Sequence, residues 1–436
     1  MTLAARLVAR SRKVYYGWWM VVASAVLLTF HAGAWWYSFT VFLKPIAEEF
    51  NWSRASVSGA FSLTSLEGGL LGILSGWLID RYGPRVVALG GVIILALGFV
   101  SLSRIDSLVS FYLTYGLLIG IGAHASGIQT HMAAAARWFI RQRSRAMGFV
   151  SVGAGIGGVI VTPAVAALVE AVGWRPTALA VALGFILIGV PAAAILRSGR
   201  PETYGLHPDG DTVAPSTSPP AIGPQAGSTV ASRDLTVREA FRSRTFWLLV
   251  TAWGLNGAST SAVAVHMVPL LTDRGIATSY AAAAVSVLTF GTVPSRIIFP
   301  FIAERFELRH AYAASVLAYV AGLAVLLVAP NLVLVYLAVG LLGLGQGGAI
   351  PLRPSATAGY FGRAHFATLQ GWMSTFASIG TMLGPIIAGA IFDGTGSYTP
   401  ALLLFSTFGL AAAAAVSAIP SLPNVSTRPP VPGSVR

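Results

Sequence analysis

About twelve stretches of this chain stay apolar for about 20 residues each, the length a helix rising 1.5 Å per residue needs to cross a bilayer's hydrocarbon. Six centre near Val26, Leu66, Ile94, Leu118, Ile156 and Ala182, and six near Trp253, Thr289, Leu317, Leu341, Ile379 and Leu404. Hydrocarbon leaves every backbone polar group to be satisfied within the protein, so such runs fold as helices. A β-barrel would show short alternating strands instead. The expected fold is an all-α membrane protein with twelve transmembrane helices. Composition agrees: 55% of the 436 residues are hydrophobic and 10% charged, with a mean hydropathy of +0.73, whereas soluble domains are about a quarter charged.

The N-terminal residues through Lys13 lead into a full-length apolar span rather than a short core with a small-residue cleavage site, so the segment reads as a first helix and not a removed signal. With no cysteine, disulfides, thiol nucleophiles and Cys-ligated metals are excluded and the redox compartment stays open.

The net charge of +13 would invite nucleic acid, but the cations are sorted between alternate loops. One side carries Arg6, Arg10, Arg12, Lys13, Arg81, Arg85, Arg137, Arg141, Arg143 and Arg145, then Arg197 to Arg244, Arg305, Arg309 and Arg363. The other carries Lys44, Arg54, Arg104, Arg175 and Arg274. This is the positive-inside pattern, which places both termini in the cytoplasm and makes the lipid bilayer, not nucleic acid, the expected partner. A bacterial inner membrane is the expected location.

Hydropathy collapses between Arg197 and Arg244 into a flexible Pro/Ser/Gly-rich linker. Thr236 and Glu239 have capping-box spacing for a short surface helix running to Ser243. The expected organisation is residues 1–196 as one six-helix half, 197–243 as the linker, 244–420 as the second half and 421–436 as a tail. The halves repeat. Gly122 and Gly345, Trp138 and Phe361, and Gly148 and Gly371 are each 223 residues apart, and Arg85 and Arg309 are 224 apart. Two pseudo-symmetric halves imply alternating access around a site held between them near the membrane midplane.

Arg296 lies in the apolar run from Tyr280 to Ala303. An arginine at mid-helix costs roughly 2.5–3.5 kcal/mol on insertion scales. A small carboxylate in a water-filled cavity would compensate it.

The loop after the second span reads Gly76, Trp77, Leu78, Ile79, Asp80, Arg81, Tyr82, Gly83, Pro84, Arg85. It resembles the signature loop of the major facilitator superfamily. Asp80 can accept from helix N-terminal amides or an arginine, while Gly76 lets helices approach and Gly83 turns the chain before Arg85. A second copy, Ala303 to Arg309, has Phe306-Glu307 in place of the tight turn. Within the superfamily the chain resembles the monocarboxylate porter branch through Tyr16-Gly17-Trp18-Trp19, Tyr37 to Lys44, Arg137-Trp138-Phe139, His266 to Gly275 and Tyr360 to Arg363. Arg296 falls where these porters, and the similar oxalate:formate antiporter, place a substrate-binding arginine. The resemblance implies a secondary transporter of a small monocarboxylate such as lactate or pyruvate, with proton coupling, working as a monomer and without a cofactor.

The pattern also departs from that branch. The first-helix Lys of the animal members is Tyr37 here, their eighth-helix Asp is Thr292, and the antiporter's Lys on the eleventh helix has no counterpart. One buried arginine suits a monoanion better than a dianion. Further substrate-site candidates are Tyr37, His124, Asn256, Gln346 and Trp372. Coupling candidates are Glu67, about 18 Å along the second helix from the signature loop at 1.5 Å per residue, and His31. Asn256, Ser259 and His266 recur on one helix face, as a stripe lining a cavity or packing between helices would. No carboxylate joins His124 and His131 at metal-ligand spacing, and no enzyme constellation occupies the spans. The alternatives are an organic-anion exchanger and an exporter of neutral or lipophilic compounds, with Arg296 then a structural bridge.

Overall fold

The computed structural model describes residues 14–52, 56, 68, 71–211 and 234–421. Among these, eleven helices are long and apolar enough to cross a membrane. In chain order the membrane helices are α1 (Tyr16–Glu49), α2 (described over 71–82), α3 (Pro84–Leu102), α4 (Leu108–Trp138), α5 (Arg143–Val172) and α6 (Trp174–Ile195). The second half comprises α7 (Arg244–Thr272), α8 (Thr278–Arg305), α9 (Leu308–Val328), α10 (Leu332–Phe361), α11 (Phe366–Thr395) and α12 (Thr399–Ser417). Most of the second span, including Glu67, lies outside the described residues.

The sequence repeat is a repeat of architecture. Helices α5 and α11 begin at residues 143 and 366, and α4 and α10 end at 138 and 361, both offsets of 223. In each half the same pair of helices packs backbone to backbone through small residues, as membrane helices do where no hydrophobic driving force separates lipid from protein. Gly153 and Gly157 of α5 lie against the carbonyls of Ala25 and Thr29 on α1, and the Thr29 hydroxyl donates to the Gly153 carbonyl at 3.0 Å. Gly380 and Gly384 of α11 lie against Gly254 and Ala258 of α7.

Regular helix is interrupted where prolines or π-helical turns intervene. Short π-helical stretches occupy Ala32–Tyr37, Tyr112–Ile119 and Phe185–Gly189. Pro294 and Pro300 flank Arg296 within α8, and Pro351 and Pro354 flank Arg353 within α10. A proline removes the hydrogen bond to the carbonyl four residues earlier, so Pro300 frees the Arg296 carbonyl, which lies against Gly148 of α5. The loops between helices turn on glycine. Gly83 adopts φ 87° and Gly362 φ 87°, a region that side chains strain to enter.

The linker is ordered at both ends, contrary to its reading as a flexible spacer throughout. Asp209 accepts from the backbone N–H groups of Ile140 (3.2 Å), Arg141 (2.9 Å) and Gln142 (3.0 Å), pinning the α4–α5 loop. Asp234 accepts from those of Arg363 (2.6 Å) and Ala364 (3.1 Å), pinning the α10–α11 loop. Thr236 and Glu239 form the expected capping box of the short helix Val237–Arg242. Composition signals flexibility, but a few carboxylates facing unpaired loop amides suffice to fix such a segment.

Candidate functional site

Arg296 projects from α8 across the junction between the halves. Its Nη1 donates to the Ser151 carbonyl of α5 at 2.6 Å, its Nε has no hydrogen-bond partner among the described residues, and the residue is 7% exposed. No carboxylate among the described residues pairs with it. The room is made by glycine: a Cβ on Gly155 would lie 3.4 Å from Nη1, and one on Gly148 would collide with the Arg296 carbonyl. Tyr37, at the end of the π-helical turn of α1, is an electrostatic neighbour of the guanidinium, and its ring would lie 3.1 Å from a Cβ on Gly158. One turn before Arg296, Thr292 turns its hydroxyl back to the Thr289 carbonyl at 2.8 Å. The result is a cation with unused donor capacity, held between α1, α5 and α8. Sequence reasoning missed Ser151 and the glycines of α5, which carry no chemistry of their own.

The other candidates are dispersed. Gln346 lies beside Gly347, which packs on Thr292 and Ser295 of α8, and its amide finds no protein partner among the described residues. His124 sits with its ring against Gly68 and edge-on to Trp35 at 6.2 Å. His31 is buried between α1 and α4, its Nε2 3.1 Å from the Ala123 carbonyl and its ring against Trp35. Asn256 is 1% exposed and faces the interior of its own half, where its Oδ1 accepts from Arg353 at 3.0 Å. Its stripe partners do the same: Ser259 donates to the Phe405 carbonyl of α12, and His266 contacts the Tyr398 hydroxyl and the Pro385 carbonyl, both at 3.0 Å. The stripe therefore packs between helices. Trp372 is stacked on Phe376 and edge-on to Phe241 of the surface helix.

The signature loop joins the halves through a cluster of hydrogen bonds. Asp80 accepts at 3.2 Å from the Ala367 N–H and at 2.8 Å from both the N–H and the hydroxyl of Thr368, in the first turn of α11. There the helix dipole favours a carboxylate. Arg137 stands 3.6 Å from Asp80 and donates to the carbonyls of Ile79 (2.8 Å) and Ser198 (2.7 Å). Gly76 lies directly against the Ala367 carbonyl, and the Gln129 amide donates to the carbonyls of Gly72 and Ala367. Gly83 packs on Ser198. Arg81 is exposed and lies over the Trp77 and Tyr82 rings, and Arg85 is exposed without an ion pair among the described residues. On the opposite flank, Arg145 of α5 pairs with Glu304 of α8. A cavity of about 430 Å³ opens at this end of the bundle, lined by Asp80, Arg81, Arg137, Arg200 and Arg363. Arg296 is not among its lining residues.

Residues 25–307 and 254–434 match the Major Facilitator Superfamily. The chain belongs to that superfamily. As a superfamily member it is a multi-pass membrane transporter and not an enzyme. Its sequence is similar to mouse (Mus musculus) monocarboxylate transporter 11, 27% identical over 407 residues that cover 90% of this chain and 85% of the relative. It is also similar to the oxalate:formate antiporter of Oxalobacter formigenes, 25% identical over 415 residues, covering 93% and 92% of the two chains. Its fold is that of the superfamily transporter FucP, with a TM-score of 0.68 at 14% identity over 91% of this chain and 97% of that one.

Proposed function

We propose that this transporter carries a small monocarboxylate, of the lactate or pyruvate class, with Arg296 as the anion anchor. The observation that carries this reading is a buried guanidinium that crosses the junction of the halves, has no carboxylate partner among the described residues, and keeps donors free. A bidentate carboxylate uses two charge-assisted hydrogen bonds of about 1.5–3 kcal/mol each, against the roughly 4 kcal/mol that a millimolar site requires. Tyr37, an electrostatic neighbour of the guanidinium, would line the same substrate site. The sequence relatives named as a monocarboxylate transporter and an oxalate:formate antiporter support the same substrate class.

The basic loops put the Asp80 end in the cytoplasm together with both termini, in the plasma membrane. The Asp80 and Glu304 contacts then close the inner side. Their release opens it while the outer side closes, and the anion on Arg296 is exposed to one side at a time. Proton coupling belongs to this reading, with Glu67 and His31 as the groups to test.

Uptake of radiolabelled lactate or pyruvate into proteoliposomes, against a panel of neutral compounds, is the deciding experiment. Arg296→Ala should abolish carboxylate uptake, and Arg296→Lys should be poor because an ammonium cannot form the planar fork. Unchanged carboxylate affinity in a folded Arg296→Ala protein would refute the assignment. Glu67→Gln should keep exchange at equal concentrations and lose accumulation driven by an inward proton gradient. Full accumulation in that variant would move the search to His31.

A further inference from the structure

Arg353 is a second cation within a membrane helix, and Arg296 does not explain it. It stands 12 Å from the end of α10 at Phe361, counting eight residues at about 1.5 Å each. Ser355, two residues on, faces α5 of the other half, where its hydroxyl contacts Met147 at 3.2 Å. Two residues turn a helix by about 200°, so Arg353 points away from the junction and into the second half. There it meets α7 and α9. Its Nη2 donates to Asn256 Oδ1 at 3.0 Å, its Cζ is 5.8 Å from the Trp253 ring centroid, and the Tyr312 hydroxyl lies beside the guanidinium.

What these groups have in common is spare donor capacity. Arg353 Nε, Asn256 Nδ2, Trp253 Nε1 and the Tyr312 hydroxyl are all buried, and none of them donates a hydrogen bond to another of the described residues. Trp253, Asn256 and Tyr312 are each at most 2% exposed. No carboxylate among the described residues pairs with Arg353. Buried donors left unpaired are costly; the Arg353 side chain as a whole is half-buried, but its Nε is not exposed. A water molecule accepts two hydrogen bonds and brings no charge. A monovalent anion accepts several and neutralises the guanidinium.

We propose that Trp253, Asn256, Tyr312 and Arg353 form a binding site for a small monovalent inorganic anion, of the size of chloride, inside the α7–α12 half. The anion is structural. It sits within one half rather than between the two, so it travels with that half and ties α7, α9 and α10 together. It is distinct from the substrate carried at Arg296.

The test uses the full chain purified in detergent, comparing sodium chloride with sodium gluconate at equal ionic strength. Chloride should raise Tm saturably over gluconate in the parent, and Arg353→Gln should lose that rise. Tyr312→Phe, which keeps the ring and removes one donor, should move the chloride midpoint several-fold higher, and it serves where Arg353→Gln fails to fold. Trp253→Phe should remove a saturable component of bromide quenching of tryptophan fluorescence and, by losing one donor, also move the chloride midpoint several-fold higher. Arg296→Ala should leave the halide responses intact whatever it does to carboxylate uptake. Equal Tm in chloride and gluconate would show that water fills the site and overturn the proposal. So would a midpoint unmoved in Tyr312→Phe, or a halide response lost in Arg296→Ala instead.

Discussion

The two halves meet at equivalent places through different chemistry. Asp80 ends α2, and Glu304, 224 residues later, ends α8; each reaches the first turn of a helix in the other half. Asp80 finds Thr368 in the first turn of α11 and must use two backbone amides and a hydroxyl. Glu304 finds Arg145, which is 223 residues before Thr368, and makes an ion pair. Pseudo-symmetry thus conserves where the acid stands, and the local residue decides what it binds. The linker follows the same rule with less divergence, since Asp209 and Asp234 pin loops beginning at residues 140 and 363, again 223 apart, and both use backbone N–H groups.

The difference has energetic content. Asp80 is buried and its partners are fixed backbone groups, so each lost charge-assisted bond costs about 1.5–3 kcal/mol. Arg145 and Glu304 side chains retain 32% and 15% of their exposure. A partly exposed ion pair is worth about 0.2–1 kcal/mol.

The largest effect should therefore come from Asp80→Asn, which weakens all three bonds to α11 and shifts the conformational population tenfold or more at about 1.4 kcal/mol per decade toward the state open at this end. Turnover should fall while substrate binding survives. Cysteine reporters near Gly72 and Gly371 read this without background, because the natural chain has no cysteine. Labelling identical to the parent would reduce the loop to a connector.

Glu304→Gln should shift the same labelling by less than about fivefold, consistent with a pair worth about 1 kcal/mol or less. Adding Arg145→Gln should change little more, since one partner is already gone. If Glu304→Gln matched Asp80→Asn, the distinction between backbone-bound and ion-paired acid would collapse.

The smallest effect belongs to the linker. Burial alone would raise the Asp234 carboxyl, but the Arg363 N–H, the Arg200 guanidinium and the Ala364 N–H more than offset this and hold it below the usual carboxylate range. A folded-state value below the unfolded one gives a contribution that is full above the unfolded value, about 3.9, and is lost as pH falls through the folded value. Asp234→Asn should lower Tm modestly at neutral pH, and its gap from the parent should narrow below about pH 4. A gap that stays constant to lower pH would mean that the carboxylate's charge is not what pins the α10–α11 loop.

Much of this was legible in the residues because it is local or periodic. The spans follow from run length, the repeat from matched glycines and aromatics, the capping box from Thr236 and Glu239, and Arg296 from the cost of a cation in hydrocarbon. Asn256 shows the limit. A polar stripe is visible in the sequence, but whether it faces a cavity or another helix depends on the helix's rotation, and here Arg353, Phe405 and Tyr398 surround it. Trp372 is a second case, since its packing on Phe241 and Phe376 could not be read from its own segment.

By itself, then, the sequence determined the all-α membrane fold, its two halves and the presence of Arg296 within an apolar span, because hydrophobic length, repetition and buried charge are properties of single segments. Only the tertiary structure decided that Asp80 grips α11 by its amides, that Arg145 answers Glu304, and that Arg353 meets no acid among the described residues. Each of these depends on which residues, dozens to hundreds of positions apart, are brought within hydrogen-bond reach, and no one segment encodes that.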